Sequence, residues 1–197
     1  MIVLDIETTG VDALKNSIVS IGAIEFENPE ERFYEECRIW DGAEINPLAL
    51  EVNGYTEEEV KDINKKTEAD VVQNFIDWLN ERKDITVAGQ NPHAVDLTFL
   101  DAAAKRAGLK LSIPRRMVDQ HSITIAHMLK RGINPPLKKE RSDMDSDKIM
   151  EYVGLPHEPK PHIAINGALW ELEALYRLIY DKPLLEEFKN YKIPWLS

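Results

Sequence analysis

Met1-Ile2-Val3-Leu4-Asp5-Ile6-Glu7-Thr8-Thr9-Gly10 is the stretch on which the fold of this chain turns. Its apolar start suits a buried strand, and the two-residue period of a strand places Asp5 and Glu7 on one face. Two carboxylates on a buried face repel each other and lose hydration, so the pair points to a cation that neutralises it. Carboxylate oxygens are hard ligands, which suit Mg²⁺ or Mn²⁺. The competing explanation is a solvated strand end, because polar residues are ordinary where strands run into loops. Thr8-Thr9-Gly10, coming directly after, weighs against it.

At 197 residues, 43% hydrophobic and 30% charged, the chain is sized for one compact α/β domain spanning residues 1–197. It holds no apolar stretch long enough for a membrane span. Met1 leads straight into strand-like sequence without the basic and apolar regions of a secretion signal, so a cytoplasmic protein is expected. Cys37 stands alone, which excludes an internal disulfide and a cysteine zinc cluster and leaves it the role of a small core residue.

The net charge of −11 is unevenly spread. From Lys105 to Arg141 ten Lys or Arg face only Asp119 and Glu140, a local balance of +8, which leaves −19 on the remainder. Such asymmetry suits a face that approaches phosphate while the acidic remainder discourages indiscriminate binding. Dispersed charges on solvated helix faces would give the same count.

Strands are expected near 1–6, 17–26 and 31–39, three in series and therefore antiparallel neighbours. Thr56 with Glu59 and Thr67 with Asp70 are helix starts, and the second opens a face of Val71, Phe75, Trp78 and Leu79. A buried strand from Ile85 to Ala88 follows, then helical patterns over 96–107, 120–130, 146–152 and 163–180. This order implies a mixed sheet with helices on its faces. Residues 132–145, with Pro135 and Pro136 beside Lys138, Lys139 and Arg141, predict an exposed mobile loop.

Two further islands carry polar groups. Asp96 closes a turn, Gly-Gln-Asn-Pro-His-Ala-Val-Asp, between a buried strand and a helix, where open α/β sheets build their sites; it could equally cap that helix. Asp119 has the same ambiguity, with capping the stronger alternative. His162 lies between Pro161 and a long helix. It could occupy an ordinary N-terminal turn, but a side chain titrating near neutrality is an apt base for a water beside a cation.

In this order the islands resemble the DEDDh exonucleases of the ribonuclease H-like fold, over nearly the whole chain. Asp5 to Gly10 looks like their first motif, Asn91 to Asp96 their second, and His162-Ile163-Ala164 the opening of their third. Pro47 to Thr56 is similar to a stretch that often holds the terminal nucleotide. The resemblance implies a mixed five-stranded sheet flanked by helices and two divalent ions, Mg²⁺ or Mn²⁺, held by Asp5, Glu7 and Asp96. It implies His162 as the base that deprotonates water, and contacts to the 3′ end from Thr8, Thr9, Gly10, Val52, Asn53, Asn91 and Phe99. Val52 and Phe99 also suit core positions.

The implied activity is removal of nucleoside 5′-monophosphates from 3′ ends of single-stranded DNA or RNA. The family's final metal-binding Asp, five residues after the histidine, is here Gly167, which predicts an impaired catalyst. Asn166 points about 100° away on a helix. Glu171, one turn later, could reach back toward the gap. Five residues separate Asn91 from Asp96 where many relatives have four. The missing acid also favours a rival: a module that retains a 3′ end without cutting it, or that tethers a polymerase or a second copy of the chain.

Overall fold

The computed structural model of the chain describes residues 1–112 and 116–196. Three strands, β1 (Ile2–Thr8), β2 (Ile18–Glu25) and β3 (Asn28–Glu36), form an antiparallel meander that pairs Asp5 with Gly22 and Glu7 with Ser20. β1 pairs in parallel with β4 (Val87–Gly89), and β4 with β5 (Val118–Asp119). The resulting order, β3-β2-β1-β4-β5, is the mixed five-stranded sheet that was expected. Around it lie α1 (Pro47–Asn53), α2 (Glu57–Val60), α3 (Glu68–Asn80), α4 (Asp96–Ala107), α5 (Gln120–Lys130), α6 (Ser146–Val153) and α7 (Ala164–Tyr180).

Strand periodicity sorts the core into two layers. Ile2, Leu4 and Ile6 of β1 pack with Phe75 of α3 and with Leu97 and Phe99 of α4. Val3, on the opposite face, packs with Met150 of α6 and with Leu172 and Leu175 of α7. Asp5 and Glu7 follow Val3 at intervals of two, so they face α7. At the start of α7 the helix lies directly on β2: a Cβ on Gly22 would overlap the carbonyl of Ala164. Only a residue without a side chain allows that approach.

The other half of α7 is fixed by a buried ion pair. Arg177 and Glu173 are both fully buried and bond at 2.7 Å. Arg177 also donates to the carbonyls of Val153 and Phe188, and Glu173 accepts the amides of Leu184 and Leu185. Full satisfaction of both groups is what makes a buried pair tolerable. The C-terminal tail therefore docks on its own chain, where Trp195 packs on His127 with ring centroids 4.4 Å apart.

Both expected capping boxes, Thr56 with Glu59 and Thr67 with Asp70, start helices. The structure departs from the sequence pattern in several places, among them β5, which was not expected as a strand. β3 begins at Asn28 rather than near 31 and includes Pro29, which an edge strand accommodates because it leaves one row of amides unpaired. α1 forms where no helix was expected, capped by Asn46 and closed by Gly54 at φ 73°. The segment 132–145 contains a hairpin, β6 (Leu137–Lys138) and β7 (Arg141–Ser142), turned by Lys139 and Glu140 at φ 49° and 64°. Two successive positive φ values match the turn that follows the natural twist of a two-residue hairpin. Cys37 is 1% exposed and belongs to the core. Among the described residues, no helix is long and apolar enough to cross a membrane.

Candidate active site

A cleft of ≈ 250 Å³ opens at the carboxyl end of β1, lined by Asp5, Glu7, Gln90, Asp96, Ser146, Glu158, His162, Gly167, Trp170 and Glu171. Each acidic group arrives from a different element. Asp5 and Glu7 come from β1, and Asp96 is the first residue of α4. Its Oδ1 accepts the Ile6 amide at 3.2 Å, so Asp96 ties α4 to β1 instead of capping its own helix. Glu171 projects from α7, with Oε1 accepting the Gln90 amide at 3.2 Å. Glu158 stands on the loop before α7, its Oε2 lying 3.8 Å from Nδ1 of His162, beyond hydrogen-bond reach.

The electrostatics follow from this crowding. Burial, then the neighbouring charges of Glu7, Glu171, Asp96 and Glu158, pushes the Asp5 carboxyl well above its usual range. Burial, followed by the field of Asp96, does the same to Glu171. Glu7 rises to about 8, through burial and then Glu158 and Asp96, with Asn53 opposing. Burial raises Asp96 to about 7 against the amides that it accepts, and raises Glu158 to about 7. His162 moves down, through burial and then the charge of Lys160, so it is neutral at pH 7.

Oxygen donors of this number and hardness fit Mg²⁺ or Mn²⁺. Two of them, Oε1 of Glu158 and Oε2 of Glu171, are buried without any hydrogen-bond partner. Among the described residues, no three His, Cys, Asp or Glu side chains are gathered closely enough to enclose an ion. The Asp5 carboxylate leans toward Gly167, where a Cβ would meet its Cγ at 2.7 Å and overlap Oδ2.

The cleft gathers Asp5, Glu7, Asp96 and His162 from 157 residues of separation in the sequence. Other expected contact residues are placed differently. Thr9 is fully buried and its hydroxyl bridges the Glu44 carbonyl and the Ser17 amide. Gly10 is buried against Asn16, whose Nδ2 lies 2.7 Å from where a Cβ would stand. Thr8 donates to the carbonyl of Gly10 and accepts, through its own carbonyl, the Asn53 side chain at 3.0 Å. Asn53 is itself 4% exposed. Phe99 is 1% exposed within the α3 and α4 core, which leaves it no surface for a base. Val52 remains exposed beside the cleft, its carbonyl accepting the His162 amide at 3.1 Å. Asn91 sits at φ 50° on the exposed turn beyond the cleft lining and donates to Asp119, which caps α5.

Glu158 was not found from sequence. It lies in His157-Glu158-Pro159-Lys160-Pro161, where no helical or strand period assigns a direction to a side chain, and only the packed loop turns it inward.

A family of exonucleases, RNase_T, matches residues 2–174. The chain belongs to this exonuclease family. The match agrees with the DEDDh resemblance of the motifs. Ribonuclease T of Haemophilus influenzae is 27% identical over 128 residues, covering 55% of this chain and 52% of that protein. The chain thus spans about half the length of the curated relatives it matches. Its fold is similar to E. coli Exonuclease I in complex with a dA16 oligonucleotide, with a TM-score of 0.70, 16% identity, and coverage of 91% of this chain and 41% of that one. It is also similar to the nuclease domain of 3′hExo, a DEDDh family member bound to rAMP, with a TM-score of 0.67, 16% identity, and coverage of 98% and 94%.

Proposed function

We propose that this member of the exonuclease family is a metal-dependent 3′–5′ exonuclease acting on single-stranded DNA or RNA ends. The observation that carries the proposal is the convergence of Asp5, Glu7, Asp96 and His162 on one cleft. Single strands suit the exposed Val52 beside His162, an apolar platform that tolerates any base. The relatives named for oligonucleotides or a nucleotide in complex add to the support for this substrate class.

Asp5, Glu7 and Asp96 would hold Mg²⁺ or Mn²⁺. When bound, the cations supply Lewis-acid stabilisation of charge on the scissile phosphate and on the leaving oxygen. Neutral His162, partly exposed in the cleft and fixed through its amide to Val52, accepts the proton of the attacking water. The phosphorus–oxygen bond to the penultimate nucleotide breaks, giving a nucleoside 5′-monophosphate and a shortened strand with a free 3′ hydroxyl. Backbone groups around Thr8, held by Asn53, support the end of the strand.

Gly167 attenuates this set, since it removes one charge and one fixed ligand position from the start of α7. The same glycine favours the second reading, a module that retains 3′ ends without cutting. A 5′-labelled oligonucleotide incubated with Mn²⁺ separates them. Stepwise shortening from the 3′ end is the expected result, and retention without shortening at any Mn²⁺ concentration would overturn the exonuclease assignment.

A further inference from the structure

We propose that Glu171 supplies the acidic ligand that Gly167 does not, so that the fourth carboxylate of the site has moved one helical turn along α7. The inference rests on the exonuclease reading and answers its weakest point.

Residues 167 and 171 share a face of α7, being four apart, and helical side chains lean toward the N-terminus of their helix. A glutamate at 171 therefore covers the ground beside residue 167, and its one extra methylene lengthens the reach relative to an aspartate. The side chain is 7% exposed and lines the cleft together with Asp5, Asp96 and Gly167. One oxygen is occupied by the Gln90 amide, which fixes the carboxylate's orientation. The other, Oε2, has no hydrogen-bond partner. A buried anionic oxygen without a donor is costly, and it persists where a cation or a proton satisfies it.

Two glycines make room for this arrangement. A Cβ on Gly89 would lie 3.0 Å from Oε2 of Glu171 and 3.0 Å from the carbonyl oxygen of Leu4, so the bare backbone of β4 is the seat on which the carboxylate rests. Gly167 in turn leaves space that the Asp5 carboxylate enters, bringing Asp5 within the field of Glu171. An aspartate at 167 and Asp5 in its present position exclude each other.

Glu158 is the other candidate for the role. It stands on a loop, and one of its oxygens faces the imidazole of His162. Glu171 is held by a helix packed on the sheet, and a ligand on a rigid element keeps its position without further ordering.

The test is Mn²⁺ binding to the full chain by titration calorimetry, comparing wild type with Glu171→Gln, which keeps the shape and the acceptor for Gln90 while removing the charge. The expected result is a loss of at least about tenfold in Mn²⁺ affinity, the lower range for disturbing even an indirect metal contact. Unchanged affinity in Glu171→Gln, or no Mn²⁺ binding by wild type, would overturn the assignment. Metal-free thermal unfolding checks the fold, and Glu171→Gln is expected to melt no lower than wild type because the amide is neutral at every pH and avoids the cost of burying an ionisable carboxyl. If it does not fold, Glu171→Asp takes its place, and Mn²⁺ affinity equal to wild type in that shortened variant counts against Glu171. The oligonucleotide assay keeps the two proposals apart. Weakened Mn²⁺ binding in Glu171→Gln with no shortening by wild type removes the exonuclease and retains the ligand, whereas shortening with equal affinities does the reverse.

Discussion

A side chain on residue 167 would begin inside the carboxylate of Asp5, with its Cβ 2.7 Å from the Asp5 Cγ. The two positions are therefore coupled. Replacing a helical glycine by alanine ordinarily stabilises by about 0.5–1 kcal/mol, but overpacking costs about 1–3 kcal/mol. Gly167→Ala is thus expected to destabilise the wild type and to cost much less in an Asp5→Ala background, where the side chain at position 5 ends at its Cβ, 3.3 Å away. Chemical unfolding of the two single variants and the double variant measures the coupling. Equal costs in both backgrounds would show that the two residues do not compete for space.

Stability of the metal-free protein is expected to fall as pH rises. Glu7, near 8 in the folded chain, and Asp96 and Glu158, near 7, hold their protons more tightly folded than unfolded. The folded state then binds more protons between about pH 4 and pH 8, so stabilisation present below the unfolded values disappears through that window. Thermal midpoints measured in chelator from pH 5 to pH 8.5 check the direction. Glu7→Gln should flatten the decline, and Mn²⁺ should raise the midpoint more at pH 8 than at pH 5. A midpoint that climbs over this range without metal would contradict the crowding of carboxyls in the cleft.

His162→Asn is expected to lower the rate of strand shortening by about a hundredfold to ten-thousandfold, the range for loss of a general base, with Mn²⁺ affinity little changed. In wild type the acidic limb of the pH–rate profile should lie below the ordinary histidine value, because burial and the charge of Lys160 both disfavour protonation. Lys160→Ala removes that charge and should move the limb to higher pH. A limb that stays in place would disconnect Lys160 from His162.

Lys138, Lys139 and Arg141 stand exposed on the β6–β7 hairpin without an acidic ion-pair partner among the described residues. The hairpin is rooted near the cleft, since the Met144 carbonyl accepts from Gln90 and Ser146 lines the cavity. If this is the face that meets phosphate, replacing all three cations by alanine should reduce the salt slope of single-strand binding by about two, at roughly 0.7 per phosphate contact. Fluorescence anisotropy at several salt concentrations provides the slope, and an unaltered slope would place the strand elsewhere.

How much of this was legible in the sequence depends on the kind of order each residue obeys. Asp5 and Glu7 could be assigned to one face because a strand repeats every two residues, and the capping boxes at Thr56 and Thr67 are local in sequence. Phe99 was ambiguous for a physical reason: helical spacing on α4 serves a core contact and a base contact alike, and burial decided for the core. Thr9 and Gly10 belong to a recognisable motif, yet their bonds to Glu44 and Ser17 and the contact with Asn16 depend on loops whose paths carry no periodic signal. Glu171 could be half anticipated from its four-residue distance to Gly167. Glu158 could not, since its inward orientation comes from a loop between prolines.

The Arg177–Glu173 lock and the seating of Ala164 on Gly22 hold α7 at both ends, much as a beam is fixed at two supports. A beam so mounted neither slides nor tilts when cargo arrives. Glu171, between those two supports, therefore keeps a constant standing relative to β1 and β4, whose Leu4 carbonyl and Gly89 backbone lie beside it.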